Sequence, residues 1–177
     1  MKPIIITNFK TYREGTGLRA LELAKKHERV ARKFKAEIFI AVQPTDLLLI
    51  SKSVNIPVLA QHIDPIEYGA NTGSISPYAI KQAGARGTLL NHAERRIDND
   101  VLQHSIKICK ELNLLTVVCS PSVVQAKKIT KLNPDYIAFE VPELIGTSKS
   151  ISTVRPKDVS KFAQYIANKS IIPLCGA

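Results

Sequence analysis

Seven short runs of apolar, largely β-branched residues punctuate the chain: IIITNF (4–9), AEIFIAV (36–42), PVLAQ (57–61), GTLLNH (87–92), LTVVCS (115–120), YIAFE (136–140) and IIPLCG (171–176). Their apolar positions are nearly continuous rather than alternating, as expected of strands covered on both faces. Between most of them the apolar positions recur at helical spacing. In DNDVLQHSIKICKEL, the residues Val101, Leu102, Ile108, Cys109 and Leu112 fall on one face, and Asp98 is placed to cap the N-terminus. SPSVVQAKKI offers Ser120 as a cap and Pro121 at the first helical position. Strand starts lie 21 to 35 residues apart. That is the length of a strand plus a returning helix, so the pattern predicts an α/β chain with a parallel sheet clothed in helices. No Pro/Ser-rich linker or low-complexity segment interrupts it, and residues 1–177 read as a single domain.

Polar residues gather at the C-terminal ends of these runs. Asn8 and Lys10 follow the first, Gln61 and His62 the third, Asn91 and His92 the fourth, Glu140 the sixth and Gly176 the seventh. In a (β/α)8 barrel that rim carries the chemistry. An open doubly wound sheet also binds ligands there, but usually with a Gly-rich turn after its first strand. The turn here, TNFKTYREGTG, matches no G-x-G-x-x-G, so the barrel is the expected architecture.

Composition narrows the class. The 177 residues are 45% hydrophobic and 23% charged, within the range of soluble globular chains. No run approaches the ~18 apolar residues of a membrane helix. The opening MKPIIITNFK lacks a small-residue cleavage site and reads as mature sequence, which makes the cytoplasm the expected location. Three cysteines, Cys109, Cys119 and Cys175, sit in apolar runs without a C-x-x-C pair, and are expected to be small buried hydrophobes in a reducing compartment. Neither a metal nor a cofactor is expected. The net charge of +10 raises a nucleic-acid reading. Its densest stretch, KKHERVARKFK (25–35), alternates with apolar positions as the solvated face of an outer helix does, and no RNA-binding motif or zinc finger accompanies it. A positive field equally suits a small anionic substrate. The expected partner is therefore a small molecule, with neither nucleic acid nor membrane.

The candidate chemistry lies in TNFK, LLNHAERR and AFEVPELIGT, which bring one lysine, one histidine and one glutamate to a common rim. Such a set suits proton abstraction beside a carbonyl. Glu140 would take the proton from carbon, His92 would donate to the oxygen as an enediolate forms, and Lys10 would supply a fixed positive charge. Taken singly, each has a plainer reading: a surface acid at a strand end, a half-buried satisfied histidine, a solvated loop lysine. His27 and His104 fall on predicted helices and are read as merely exposed.

In combination the segments are specific. NFKTY, QHIDPIEYGANTGSIS, GTLLNHAERR, FEVPELIGTSKS and LCGA resemble triosephosphate isomerases, particularly the short archaeal form, and they span the whole chain. Asn8 and Lys10 match the family's N-x-K motif. Asn91, His92, Glu94 and Arg95 match N-H-[S]-E-R, and Glu140, Pro142, Glu143, Leu144, Ile145, Gly146 and Thr147 match the lid motif after strand six. The resemblance implies Glu140 as catalytic base, His92 as a neutral electrophile and Lys10 as the cation that steadies the substrate, under a closing lid. It further implies Asn8, Lys10, Ile145, Gly146, Gly176 and Ala177 as substrate-binding residues, Gly146 and Gly176 among them for a phosphate group, with Glu94 in support. YGANTGSIS (68–76) resembles the family's inter-subunit loop, with Thr72 approaching the partner's site, so a homo-oligomer, dimer or tetramer, is implied. The implied substrate is a triose phosphate. Ala93, Val141 and Ser148 depart from the family's usual residues, from which altered rates rather than lost chemistry are expected.

The chain stops on the turn after strand seven, at IIPLCGA. The expectation is thus a C-terminally truncated barrel lacking the eighth strand and last helices, with strands one and seven as apolar edges and little activity at this length. The alternative is a truncated, catalytically incompetent paralogue or interaction module. Another phosphosugar barrel enzyme is open on fold alone, but the lid motif speaks against it.

Overall fold

The computed structural model describes residues 3–147, 149–167 and 169–176. All seven expected strands form: β1 (Ile4–Asn8), β2 (Glu37–Val42), β3 (Val58–Ala60), β4 (Gly87–Leu90), β5 (Leu115–Ser120), β6 (Tyr136–Glu140) and β7 (Ile172–Gly176). Strand order is chain order. The pairings of β1 with β2, β2 with β3, β3 with β4, β5 with β6 and β6 with β7 are all parallel. Each strand is followed by helical chain before the next, which is the βα alternation of a barrel. Among the described residues there is no eighth strand.

The near-continuous apolar runs are explained by burial. In β2 every residue after Glu37 is buried, in β3 and β4 every residue, and in β6 every residue before Glu140. Each fully buried Ile, Leu, Val or Phe stabilises such a sheet by about 1.5–3 kcal/mol. The strands β1 and β7 depart from this. Ile5 is 49% exposed, and Pro173 and Cys175 are exposed along β7. Cys175 therefore corrects the expectation of three buried cysteines; Cys109 and Cys119 are buried.

The chain divides into two compact units. One holds the residues up to Leu89 with Ile108–Leu114, and the other Leu90–Lys107 with the residues from Leu115 onward. In the first, α1 (Gly17–Phe34) carries the basic run. It buries Ala20, Ala24 and Ala31 and leaves Lys25, Lys26, Arg29, Arg32 and Lys33 in solvent, so the dense charge is an outer helix face as expected. Lys35 ends the helix in the left-handed conformation, its N–H reaching Ala31 O and Arg32 O. His27 is half-buried rather than exposed, with its ring 5.3 Å from that of Phe9. Here too lie α2 (Pro44–Ser51) and α3 (Pro77–Gln82), each with proline in its first turn.

Helix α4 (Asn99–Glu111) buries Leu102, Ile108 and Cys109 and half-buries Val101, the expected face, with Leu112 half-buried just beyond its end. Leu102 N–H bonds Asp98 O at 2.9 Å. In the second unit α5 (Val123–Ile129) begins later than expected. Ser120 completes β5, and it is Ser122 whose hydroxyl accepts the Gln125 N–H at 3.1 Å. The ladder to β6 extends to Ser120, paired with Phe139, and so holds the serine in the strand. Two further helices, α6 (Ile151–Val154) and α7 (Pro156–Ile166), precede β7. Phe162 of α7 packs on Phe139 of β6, ring centroids 5.4 Å apart, both side chains fully buried. No described helix is long and apolar enough to cross a membrane.

Candidate active site

In the first unit the end of β1 is shaped by amides. Asn8 Oδ1 accepts the Lys10 N–H at 2.9 Å, a turn closed two residues on. Gln61, just past β3, donates from one amide nitrogen to Lys10 O at 2.9 Å, to Asn8 Oδ1 at 3.2 Å and, more weakly, to Ala41 O at 3.5 Å. Lys10 is thereby held at φ 49°, a left-handed conformation costing a side-chain-bearing residue about 1–3 kcal/mol. Its backbone position is thus over-determined by its neighbours. Phe9 between them is buried and its N–H bonds Ala41 O at 2.9 Å.

Gly15 packs against this turn so closely that a Cβ there would lie 2.4 Å from Phe9 O. Gly15→Ala is expected to force the Asn8–Lys10 turn aside. Overpacking of this kind typically costs about 1–3 kcal/mol, and the displaced Lys10 should raise KM more than it lowers kcat. Denaturant unfolding and steady-state kinetics on the variant check both. Thr72 lies exposed in the 68–76 loop, whose base is tied by Asp64: its N–H bonds Ile75 O at 2.9 Å and its Oδ2 accepts the Ile75 N–H at 2.7 Å.

In the second unit the polar end of β4 and the end of β6 carry the titratable groups. His92 has a side chain only 11% exposed. Its Nδ1 accepts the Glu94 N–H at 3.2 Å, and its Nε2 stands 3.8 Å from Glu140 Oε2. Glu140 ends β6 with its side chain 19% exposed, and its Oε2 is buried with no hydrogen-bond partner among the described residues. A lone carboxylate oxygen in that position is costly, by about 1–3 kcal/mol for a neutral group and more for a charged one. It is the arrangement expected of an acid kept for a ligand rather than for the fold.

Cys119 on β5 lies alongside. Burial pushes its thiol pKa well above the ordinary value, and the Glu140 carboxylate beside it pushes the same way, so the thiol stays protonated and inert. Neither Cys119 nor Gln61 was assigned a role from the sequence. Gln61 could have been suspected from its place at a strand end, while Cys119 looks like any core residue of β5.

After Glu140, buried Val141 leads into a short 3-10 turn, Pro142–Leu144. Ile145 N–H bonds Pro142 O at 3.2 Å, and Gly146 takes φ 76° with open space where a Cβ would be. Ser148 and Ala177 lie outside the described residues. Gly176 is the last residue of β7, paired with Glu140, and a Cβ there would be 3.8 Å from Glu140 Oε1. Among the described residues no cluster of His, Cys, Asp or Glu could hold a metal ion.

A carboxylate with one oxygen left open, beside an imidazole whose far nitrogen is engaged by the backbone, can move a proton to and from carbon. The family model described as "Triosephosphate isomerase" matches residues 3–173. The chain belongs to the triosephosphate isomerase family. It is 46% identical to the triosephosphate isomerase of Methanobacterium bryantii, over 99% of this chain and 78% of that one. With that of Methanothermus fervidus the identity is 42%, over 99% and 80%, and with that of Saccharolobus solfataricus 38%, over 99% and 78%. Archaeal triosephosphate isomerases are thus among its relatives, as the motifs implied. In fold it is similar to the crystal structure of triosephosphate isomerase from Bartonella henselae, with a TM-score of 0.70 at 22% identity over 99% of this chain and 82% of that one. These likenesses favour a triosephosphate isomerase over the interaction module considered from the sequence.

Proposed function

We propose that the protein interconverts dihydroxyacetone phosphate and D-glyceraldehyde 3-phosphate, with Glu140 as base and His92 as electrophile. One observation carries the assignment: a buried carboxylate oxygen, without a hydrogen-bond partner among the described residues, 3.8 Å from the imidazole Nε2. Glu140 removes a proton from the carbon bearing the hydroxyl, and the electron pair moves to the neighbouring carbonyl, giving an enediolate. Glu140 then returns its proton to the other carbon while the hydroxyl hydrogen is exchanged through His92. No external oxidant or reductant is required, because one carbon is oxidised as its neighbour is reduced.

The protonation of His92 follows from its neighbours. An Nδ1 that accepts the Glu94 N–H carries no proton, so the imidazole proton is on Nε2. The Glu94 carboxylate is 3.6 Å from the same nitrogen, but it is 57% exposed and the backbone bond is shorter, so the backbone sets the tautomer. A neutral N–H is well matched to a developing enediolate, since it donates without first releasing a proton.

Lys10 supplies positive charge to the oxyanion and the phosphate, and Asn8 positions that lysine. The backbone at Gly146 and Gly176 takes the phosphate oxygens, and Ile145 and Ala177 complete the substrate-binding set. The Pro142–Thr147 segment closes over the bound substrate and removes water. The open space at Gly146 and its positive φ suit a residue whose N–H must turn toward the substrate. Glu94 holds His92 through its backbone. The protein works in the cytoplasm as a homo-oligomer, dimer or tetramer, with Thr72 of the 68–76 loop reaching the partner.

The reaction is tested by incubating the protein with dihydroxyacetone phosphate in deuterated water. Glyceraldehyde 3-phosphate carrying deuterium on the newly protonated carbon is the expected product. Recovery of unlabelled, unconverted ketose after long incubation at high protein concentration would overturn the reading.

A further inference from the structure

Asn91 is buried at 3% exposure, adopts φ 57°, and has every polar atom of its side chain engaged. Its Nδ2 donates to Cys119 O of β5 at 3.0 Å, and its Oδ1 accepts the Ile97 N–H at 3.2 Å. Its own carbonyl takes Arg96 Nη1 at 2.7 Å. Residues 91–97 thus form a loop whose two ends are tied by one side chain, and the tie is anchored to the neighbouring strand. His92 and Glu94 lie inside this loop. Arg95 N–H closes it further on His92 O at 2.9 Å.

We infer that Asn91 is a positioning residue for the isomerase reaction, fixing the direction and tautomer of His92 by holding the 91–97 loop against β5. Few residue types can do this. The backbone must be left-handed, which glycine, asparagine and aspartate tolerate best. The side chain must donate on one side and accept on the other, which aspartate cannot do when ionised. The left-handed turn sends the chain off the sheet directly before His92, so that the Glu94 N–H comes back onto His92 Nδ1 at 3.2 Å. The anchor strand serves the other partner as well: Cys119, whose carbonyl holds the loop, lies beside the Glu140 carboxylate. One strand residue therefore references both groups that touch the substrate.

This inference rests on the isomerase reading for its kinetic consequence, but its structural part is separable. Asn91→Gly keeps the left-handed turn and removes both side-chain bonds; Asn91→Asp keeps the acceptor for Ile97 and replaces the donor with an oxygen facing the Cys119 carbonyl. In the wild type, 15N spectra of the imidazole, assigned with His92→Gln, should show a bare Nδ1 and a protonated Nε2. In both variants the two nitrogens should move toward averaged shifts, and kcat should fall on the order of 10²-fold, as expected of a misplaced catalytic group, with KM little changed. Wild-type imidazole shifts and kcat in folded Asn91→Gly would overturn the proposal, as would a lowered melting temperature with kcat unaltered. If Asn91→Gly does not fold, Asn91→Asp decides by the same spectra, and failure of both to fold would assign Asn91 to folding alone and overturn it. Should the wild type itself not isomerise trioses, the functional reading falls, while the spectra still decide whether Asn91 sets the tautomer.

Discussion

Glu140→Gln is expected to lower kcat by on the order of 10²- to 10⁴-fold, the range supplied by a positioned general base, while KM changes far less. Glutamine preserves the shape and the pairing of β6 with β7 but cannot accept a proton from carbon. The loss should therefore appear in the chemical step and in hydrogen exchange with solvent together. Glu140→Asp separates basicity from reach. Aspartate retains the charge but withdraws it by one methylene, and a displacement of this size is expected to cost about 10²-fold. Steady-state kinetics in both directions, with deuterium incorporation from solvent, distinguish the two variants. Near-normal turnover of the glutamine variant would remove the basis for placing the chemistry at the end of β6.

The second large effect is at His92. Replacement by glutamine, which also offers an N–H, should reduce kcat by on the order of 10²- to 10³-fold, the usual consequence of losing one donor to a developing oxyanion. The imidazole is fixed by the Glu94 N–H at 3.2 Å. A glutamine has no such bond, and its amide rotates away from the required direction. Because the effect is on transition-state stabilisation, kcat and kcat/KM should fall together. A fall confined to KM would mean that His92 only binds substrate, and the electrophile would have to be sought elsewhere.

Much of the fold was legible from the order of residues, for reasons that can be named. Strands covered on both faces cannot alternate, so β2 through β6 announce themselves as solid apolar runs. The acids and amides at their C-terminal ends stood out against that background, although Glu140 taken singly read as a surface acid and gained weight only beside the His92 and Lys10 motifs. Ser122 was missed in favour of Ser120, because both serines precede the same helical pattern and only pairing with β6 decides which belongs to the strand. Cys175 was misjudged because IIPLCG reads like any buried strand, whereas exposure along β7 depends on what flanks it in space. The Gln61 clamp on Lys10 joins residues 51 apart in the chain. No local pattern encodes it, and the same holds for the reach of Asn91 to the Cys119 carbonyl, 28 residues away.

The orphaned oxygen of Glu140 has a cost for heat resistance. A lineage selected for endurance alone would be expected to discard that acid early, because an uncharged side chain of similar size relieves an unmet demand for solvation. Glu140→Gln should accordingly melt at a temperature no lower than the parent, and Glu140→Leu higher still.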